Sequence, residues 1–338
     1  MTIDDCIGVV GAGSWGTTLA KVLGDNGKRT LLWARREAVC REINETRQNS
    51  QYLPGFSLGD SVEATSDLER ICKSASLIIA VVPSHTMRET ARELGNHLTG
   101  EHVVVHATKG IEQGSFKRMS EVLREETCLR KIGVISGPNL AKELAARQPA
   151  GTLVASRYDE VFERAHAALH NDYFRVYQGR DVIGAEIGGA FKNIIALAAG
   201  VAAGLGLGDN TKALLLTRGL SEMARFGVAM GADVMTFGGM AGMGDLIATC
   251  SSPLSRNHQV GARLARGEKL DDIQRDMRMV AEGVKMAKAA NDFASRKRLD
   301  LPIVRAVHNL LYDHHDVQLL LKELMSIPAG PEFAALTI

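Results

Sequence analysis

The segment Gly11-Ala12-Gly13-Ser14-Trp15-Gly16 is a glycine loop of the kind that cradles phosphate. It follows the apolar run Ile7-Gly8-Val9-Val10 and opens a helix predicted to begin at about Ser14. That strand–turn–helix setting is the one in which GxGxxG binds a dinucleotide. Gly11 permits the tight turn, Gly13 lets the backbone approach a pyrophosphate, and Gly16 lets helix and strand pack closely. The helix N-terminus offers N–H groups and a partial positive charge to the anion. The end of the second strand should meet the cofactor's ribose, where an acidic residue would select NAD. This chain has Trp33-Ala34-Arg35-Arg36 there. Two guanidiniums suit a 2′-phosphate, so NADP(H) is favoured over NAD. The same arginines also suit the solvated start of a helix, and Glu37 partly compensates their charge.

Further polar residues interrupt apolar patterns. Lys109 stands at the carboxyl end of the run His102–His106, and ligand crevices of parallel sheets lie outside such ends. Ser136-Gly137-Pro138-Asn139 follows another strand and is read as a helix start with Pro138 in its first turn. Lys192, within Phe191-Lys192-Asn193, sits inside the most apolar helix of the chain, with Gly188 and Gly189 about one turn earlier leaving a face a ligand could approach. A snorkelling lysine is the alternative. Gly242-Met243-Gly244-Asp245 reads as a loop into a short helix. Ser255-Arg256-Asn257 reads as a helix start with Ser255 as N-cap. An arginine there is electrostatically awkward unless an anion such as phosphate sits with it. His314 and His315 would face different sides of a helix, and no metal site is expected.

The elements that hold these residues change in kind along the chain. Strand-like runs at Ile7–Val10, Thr30–Trp33, Leu77–Val82, His102–His106, Lys131–Ile135, Gly151–Ala155 and Tyr173–Tyr177 alternate with helical stretches. This predicts an α/β, Rossmann-like, doubly wound parallel sheet. After Asp181 no strand-length β-branched run remains, and helices are predicted near 211–229, 257–266, 282–297, 303–313 and 316–325. The expected division is a dinucleotide-binding domain over 1–180 and an all-helical substrate-binding and catalytic domain over 181–338.

With 338 residues, 45% of them hydrophobic, and a formal charge of +1, the chain is predicted to be globular, without nucleic acid or an anionic membrane as its main partner. The uncharged run between Lys192 and Asp209 is too short to span a bilayer comfortably, so no stable membrane insertion is expected. Five cysteines with no CxxC spacing and an N-terminus without a basic n-region point to the cytoplasm.

The motifs together resemble those of the bacterial NAD(P)-dependent sn-glycerol-3-phosphate dehydrogenases. They run nearly end to end: GAGSWG at 11–16, ATKG at 107–110, SGPNLAKE at 136–143, FKN at 191–193, GMGDL at 242–246, SRN at 255–257 and VAEG at 280–283. The resemblance implies interconversion of sn-glycerol 3-phosphate and dihydroxyacetone phosphate with NAD(P)(H), chiefly to supply glycerophospholipid biosynthesis. It makes Lys192 the general base for oxidation and acid for reduction, with Lys109 and Asp245 beside the reacting carbons. Ser255, Arg256 and Asn257 would hold the phosphate end, with Gly137 and Asn139 also lining the substrate site. Ser14, Trp15, Arg35, Arg36, Lys109, Ala141, Arg256, Val280 and Glu282 match cofactor positions. It also implies a helical second domain like that of 6-phosphogluconate dehydrogenase, and a homodimer.

The chemistry agrees with that assignment. Ordinary lysine titrates too high to serve as an efficient base at neutral pH. Burial and a neighbouring cation such as Lys109 would lower it, with Asp245 balancing the charge. Two competing readings are a β-hydroxyacid dehydrogenase or ketopantoate-reductase-like enzyme acting on a carboxylate, and an NAD(P)H-binding regulator without turnover.

Overall fold

Near-continuous apolar runs form strands buried on both faces, and successive side chains of a strand serve opposite faces. The computed structural model, which describes residues 6–253, 255–277, 281–328 and 330, shows this in the first half of the chain. The strands are β1 (Ile7–Val10), β2 (Thr30–Trp33), β3 (Val62–Thr65), β4 (Leu77–Ala80), β5 (Val103–His106), β6 (Ile132–Ser136), β7 (Ala150–Ser156) and β8 (Phe174–Gly179). They form one sheet in the order β3-β2-β1-β4-β5-β6-β7-β8. Val9, Leu32, Ile79 and Val105 enter one core, while their neighbours Val10, Leu31, Ile78 and Val104 enter another. The helices of this half are α1 (Ser14–Asp25), α2 (Glu37–Thr46), α3 (Leu68–Ser74), α4 (Met87–Gly95), α5 (Met119–Glu126), α6 (Ala141–Ala145) and α7 (Asp159–Leu169).

The expectation of a parallel sheet needs one correction. Pairing is parallel from β3 through to β6, but β7 runs antiparallel to β6, with Ser136 opposite Leu153 and Gly133 opposite Ser156. β8 then pairs parallel to β7. The connection explains the reversal. A parallel return needs a crossover that travels the length of the sheet. Between β6 and β7 there is only α6, five residues long, which rises about 7 Å. The helix expected at Pro138 also starts later, with Leu140 as N-cap, because the side chain of Asn139 is held by the Gly151 carbonyl at 2.9 Å.

The chain divides into two compact units, residues 1–108 with 117–182, and residues 109–116 with 183–338. The segment 109–116 therefore belongs with the helical unit, not with the sequence that flanks it. That unit contains α8 (Val182–Gly204), α9 (Asp209–Ala229), α10 (Asp245–Ser251), α11 (Arg256–Ala265), α12 (Leu270–Asp276), α13 (Glu282–Lys297), α14 (Pro302–Tyr312) and α15 (Val317–Met325). α8 extends back through Lys192 to Val182, and its 23 residues are long and apolar enough to cross a membrane by length and composition. Buried Glu186 and Lys192 on it, and its many fully buried apolar residues, make it a core helix.

One helix start in this unit is capped from outside. α14 opens with Pro302 and has no capping side chain of its own. Glu222 on α9 supplies the acceptors: Oε1 takes the Ile303 N–H at 2.7 Å and Oε2 the Val304 N–H at 3.1 Å. Burial pushes this carboxyl up to about 7, against the pull of the two N–H donors. Glu222→Ala should destabilise the protein by about 2–4 kcal/mol by stranding both donors, read as a lower urea midpoint. A folded-state pKa above the unfolded one gives stability that is present at low pH and lost as pH rises through about 7. Glu222→Gln should flatten that fall.

Candidate active site

The glycine loop folds as its spacing requires. Gly11 has φ +120°, and a side chain there would meet the Val81 carbonyl oxygen at 2.7 Å. A Cβ at Gly16 would lie 1.8 Å from the Gly11 carbonyl oxygen, so the turn and the first turn of α1 are in direct contact. Gly13, the N-cap of α1, makes no side-chain cap, and a Cβ there would meet nothing within 4 Å. That open cradle at a helix N-terminus fits a dinucleotide pyrophosphate. Ser14, the first residue of α1, donates its hydroxyl to the Tyr52 carbonyl at 2.7 Å, and Trp15 packs half-buried against the core. Arg35 is exposed after β2. Arg36 is held by Gln51 at 2.6 Å and by the Tyr52 hydroxyl at 3.2 Å, with its guanidinium over the Tyr52 ring. Its side chain is thus engaged with these neighbours rather than with Glu37.

In the same unit Gly137 is buried at the end of β6, and Asn139 is committed to Gly151. Ala141 opens α6, with its carbonyl accepting from Thr18 at 3.3 Å.

In the helical unit three charged side chains meet. The Lys192 ammonium donates to Asp245 Oδ1 and, at 2.8 Å, to the Thr249 hydroxyl. Lys109 donates to Asp245 Oδ2 at 2.6 Å. One carboxylate therefore bridges two lysines. Lys192 and Asp245 are buried, whereas the Lys109 side chain is 24% exposed. Burial drives the Lys192 pKa well below the ordinary lysine range, and the Lys109 cation pushes the same way while Asp245 opposes both. A lysine so placed can exchange a proton near neutral pH. Thr249 was not singled out from the sequence. Its i,i+4 spacing from Asp245, on one face of α10, is the signal that could have found it.

The space above Gly188 is not open to a ligand. A Cβ there would lie 2.3 Å from the Ala241 carbonyl oxygen. The segment expected as a loop before Asp245 is a π-helical turn, Met240–Gly244, and its backbone occupies that face of α8.

Ser255 is the N-cap of α11, its hydroxyl accepting from the His258 N–H at 3.4 Å. Arg256 follows as the first helical residue and is exposed as a residue, although protein packs around its guanidinium. The protein around it lowers its pKa, and the Glu282 carboxylate at the start of α13 works in the opposite direction. Asn257 is turned inward. Its amide donates to Asn193 at 2.9 Å and accepts from the Gly283 N–H at 3.0 Å, fastening α11 to α8 and α13. Asn193, which the sequence offered only as part of the FKN motif and without a role of its own, is buried at this junction. Val280 lies outside the described residues.

A Rossmann-like sheet with an open glycine cradle, and a helical unit with a buried lysine at a shared carboxylate, define an NAD(P)-dependent oxidoreductase. The family model for the NAD-dependent glycerol-3-phosphate dehydrogenase N-terminus matches residues 6–162, and that for the C-terminus matches residues 181–322. The chain is 47% identical over 326 residues to a glycerol-3-phosphate dehydrogenase [NAD(P)+] of Streptomyces griseus, covering 96% of this chain and 97% of the relative. An enzyme of the same name from Bacillus thuringiensis is 44% identical, with 94% and 95% covered. The crystal structure of glycerol-3-phosphate dehydrogenase from Coxiella burnetii superposes with a TM-score of 0.92 at 33% identity, covering 96% of this chain and all of that one. The chain belongs to the NAD-dependent glycerol-3-phosphate dehydrogenase family.

Proposed function

We propose that this protein interconverts sn-glycerol 3-phosphate and dihydroxyacetone phosphate with NAD(P)(H), working chiefly toward glycerol phosphate for glycerophospholipids. The observation that carries the reading is Lys192, buried and bound to Asp245 beside Lys109, in a chain of this family. The bound nicotinamide supplies or accepts the hydride. In the reductive direction the Lys192 ammonium donates its proton to the ketone oxygen at C2, and in the oxidative direction the neutral amine takes the alcohol proton back. Lys109, the more exposed of the two lysines, lies toward the reacting carbons, and Asp245 holds both ammonium groups in place. Ser255, Arg256 and Asn257 serve the phosphate end, together with Gly137 and Asn139. Gly11, Gly13, Ser14, Trp15, Gly16, Ala141 and Arg35 and Arg36 hold the cofactor, with Lys109, Arg256, Val280 and Glu282 contributing from the rest of the chain. The carboxylate-substrate and regulator alternatives are not favoured, because relatives 44–47% identical over nearly the whole chain carry the name glycerol-3-phosphate dehydrogenase. We also infer a homodimer working in the cytoplasm.

The test is loss of reduced-nicotinamide absorbance with dihydroxyacetone phosphate, using NADPH and then NADH. Phosphate-dependent oxidation is expected, faster with NADPH. Arg35→Ala should lower the NADPH-to-NADH ratio of kcat/KM by about tenfold, the loss of one charge-assisted contact. Binding of both cofactors without turnover on any ketone would overturn the reading. An unchanged ratio would remove Arg35 from 2′-phosphate selection.

A further inference from the structure

We propose that Gly188 is a positioning residue for the proton-transfer pair: by admitting the Ala241 carbonyl against α8, it fixes where the Asp245 carboxylate meets Lys192. The inference rests on the dehydrogenase reading of Lys192.

Gly188 and Lys192 lie one turn apart on one face of α8, and Ala241 and Asp245 are likewise four residues apart across the π-helical turn. Two rungs result. The upper is the contact of Ala241 with the bare backbone at Gly188, and the lower is the Asp245–Lys192 ion pair. The turn has no room to retreat. A Cβ at Gly242 would lie 2.2 Å from the Phe237 carbonyl oxygen, and one at Gly227 on α9 would lie 2.1 Å from the Phe237 ring. The turn is thus wedged between α8 and a buried phenylalanine that is itself seated on α9. Its wide hydrogen bond, Gly244 N–H to the Gly239 carbonyl at 3.1 Å, inserts an extra residue just before α10 and so sets the direction in which Asp245 leaves the helix start. A methyl group at 188 must displace Ala241, and Asp245 moves with it.

Among the described residues, the groups that face Lys192 are Asp245, Thr249 and Cys250 of α10, and Lys109 from the segment 109–116. Of these Asp245 alone favours the charged ammonium strongly, so its displacement should move the Lys192 titration to lower pH. Two readouts on the full-length protein test this: Lys192 titration followed by NMR of lysine-labelled, ligand-free protein, and kcat against pH in both directions.

For Gly188→Ala the expected result is a titration displaced downward, kcat reduced about tenfold to a hundredfold, and the KM for NADPH within about twofold, as expected for a loss specific to the transition state. A folded Gly188→Ala protein with the wild-type titration and kcat would overturn the proposal. If that variant does not fold, Phe237→Leu loosens the wedge from behind without touching α8. It should displace the titration in the same direction with a smaller loss of kcat, and an unmoved titration in it overturns the proposal equally. Absence of turnover in the wild-type protein would instead count against the dehydrogenase reading, while the ligand-free titration still decides the role of Gly188.

Discussion

Replacing Lys192 by methionine should reduce turnover by about a thousandfold or more while cofactor affinity stays within about twofold. Methionine keeps an apolar stem of similar length and removes the amine to which proton transfer is assigned. The fold should survive, because Asp245 keeps Lys109 at 2.6 Å and is not left as an uncompensated buried charge. Single-turnover rates and direct binding of NADPH separate the two effects. Loss of cofactor affinity equal to the loss of rate would argue against a proton-transfer role. The wild-type pH dependence carries a sign that checks the same assignment. Oxidation needs the neutral amine and should rise with pH through the depressed Lys192 pKa. Reduction needs the ammonium and should fall over the same interval. Both limbs should vanish from the residual activity of Lys192→Met.

Arg256→Ala should raise the KM for dihydroxyacetone phosphate by about tenfold to a hundredfold, the worth of a charge-assisted phosphate contact. The geometry gives two reasons for a large effect. Arg256 stands at the N-terminal end of α11, where the helix already favours an anion. Glu282 is close enough to act on its titration, so removing the guanidinium leaves a negative charge facing the substrate's phosphate. Initial rates across a substrate series, repeated with added inorganic phosphate as competitor, would measure the change. An unchanged KM would remove Arg256 from the phosphate site.

Much of the candidate site stands out in the sequence because its residues violate local expectation. A lysine in an Ala- and Gly-rich helix, an arginine at a helix start, and a GxGxxG after a strand each need a partner that the pattern itself does not supply. Ser255 caps α11 and Ser14 opens α1 as their types and neighbours dictate. What stayed hidden depends on contacts distant in sequence. The π-helical turn before Asp245 looks like any Gly-Met-Gly loop until Gly188 and Phe237 close around it. Asn257 resembles a ligand-facing residue, yet Asn193 and Gly283 claim much of its amide. In the fold, β3 escapes notice because Val62-Glu63-Ala64-Thr65 is short, at the sheet edge, and carries an acidic residue. The reversed β7 escapes because an apolar run reads the same in either direction. Only the brevity of α6 betrays it.

The excursion of residues 109–116 into the helical unit bears on how the chain can be dissected. Ile111 is part of that unit's buried core, and Phe116 meets the Phe293 ring edge-on at 5.7 Å, with the Arg296 guanidinium 4.7 Å from the centroid of the Phe116 ring. A polypeptide started at Ile183 would be missing two apolar plugs and the second cation on Asp245. The helical unit therefore draws part of its core from outside its own run of sequence, even though its helices are contiguous. During synthesis the short stretch must wait for α13, which carries Phe293 and Arg296, to leave the ribosome before it finds its place, so the helical unit closes its core around a segment made long before it.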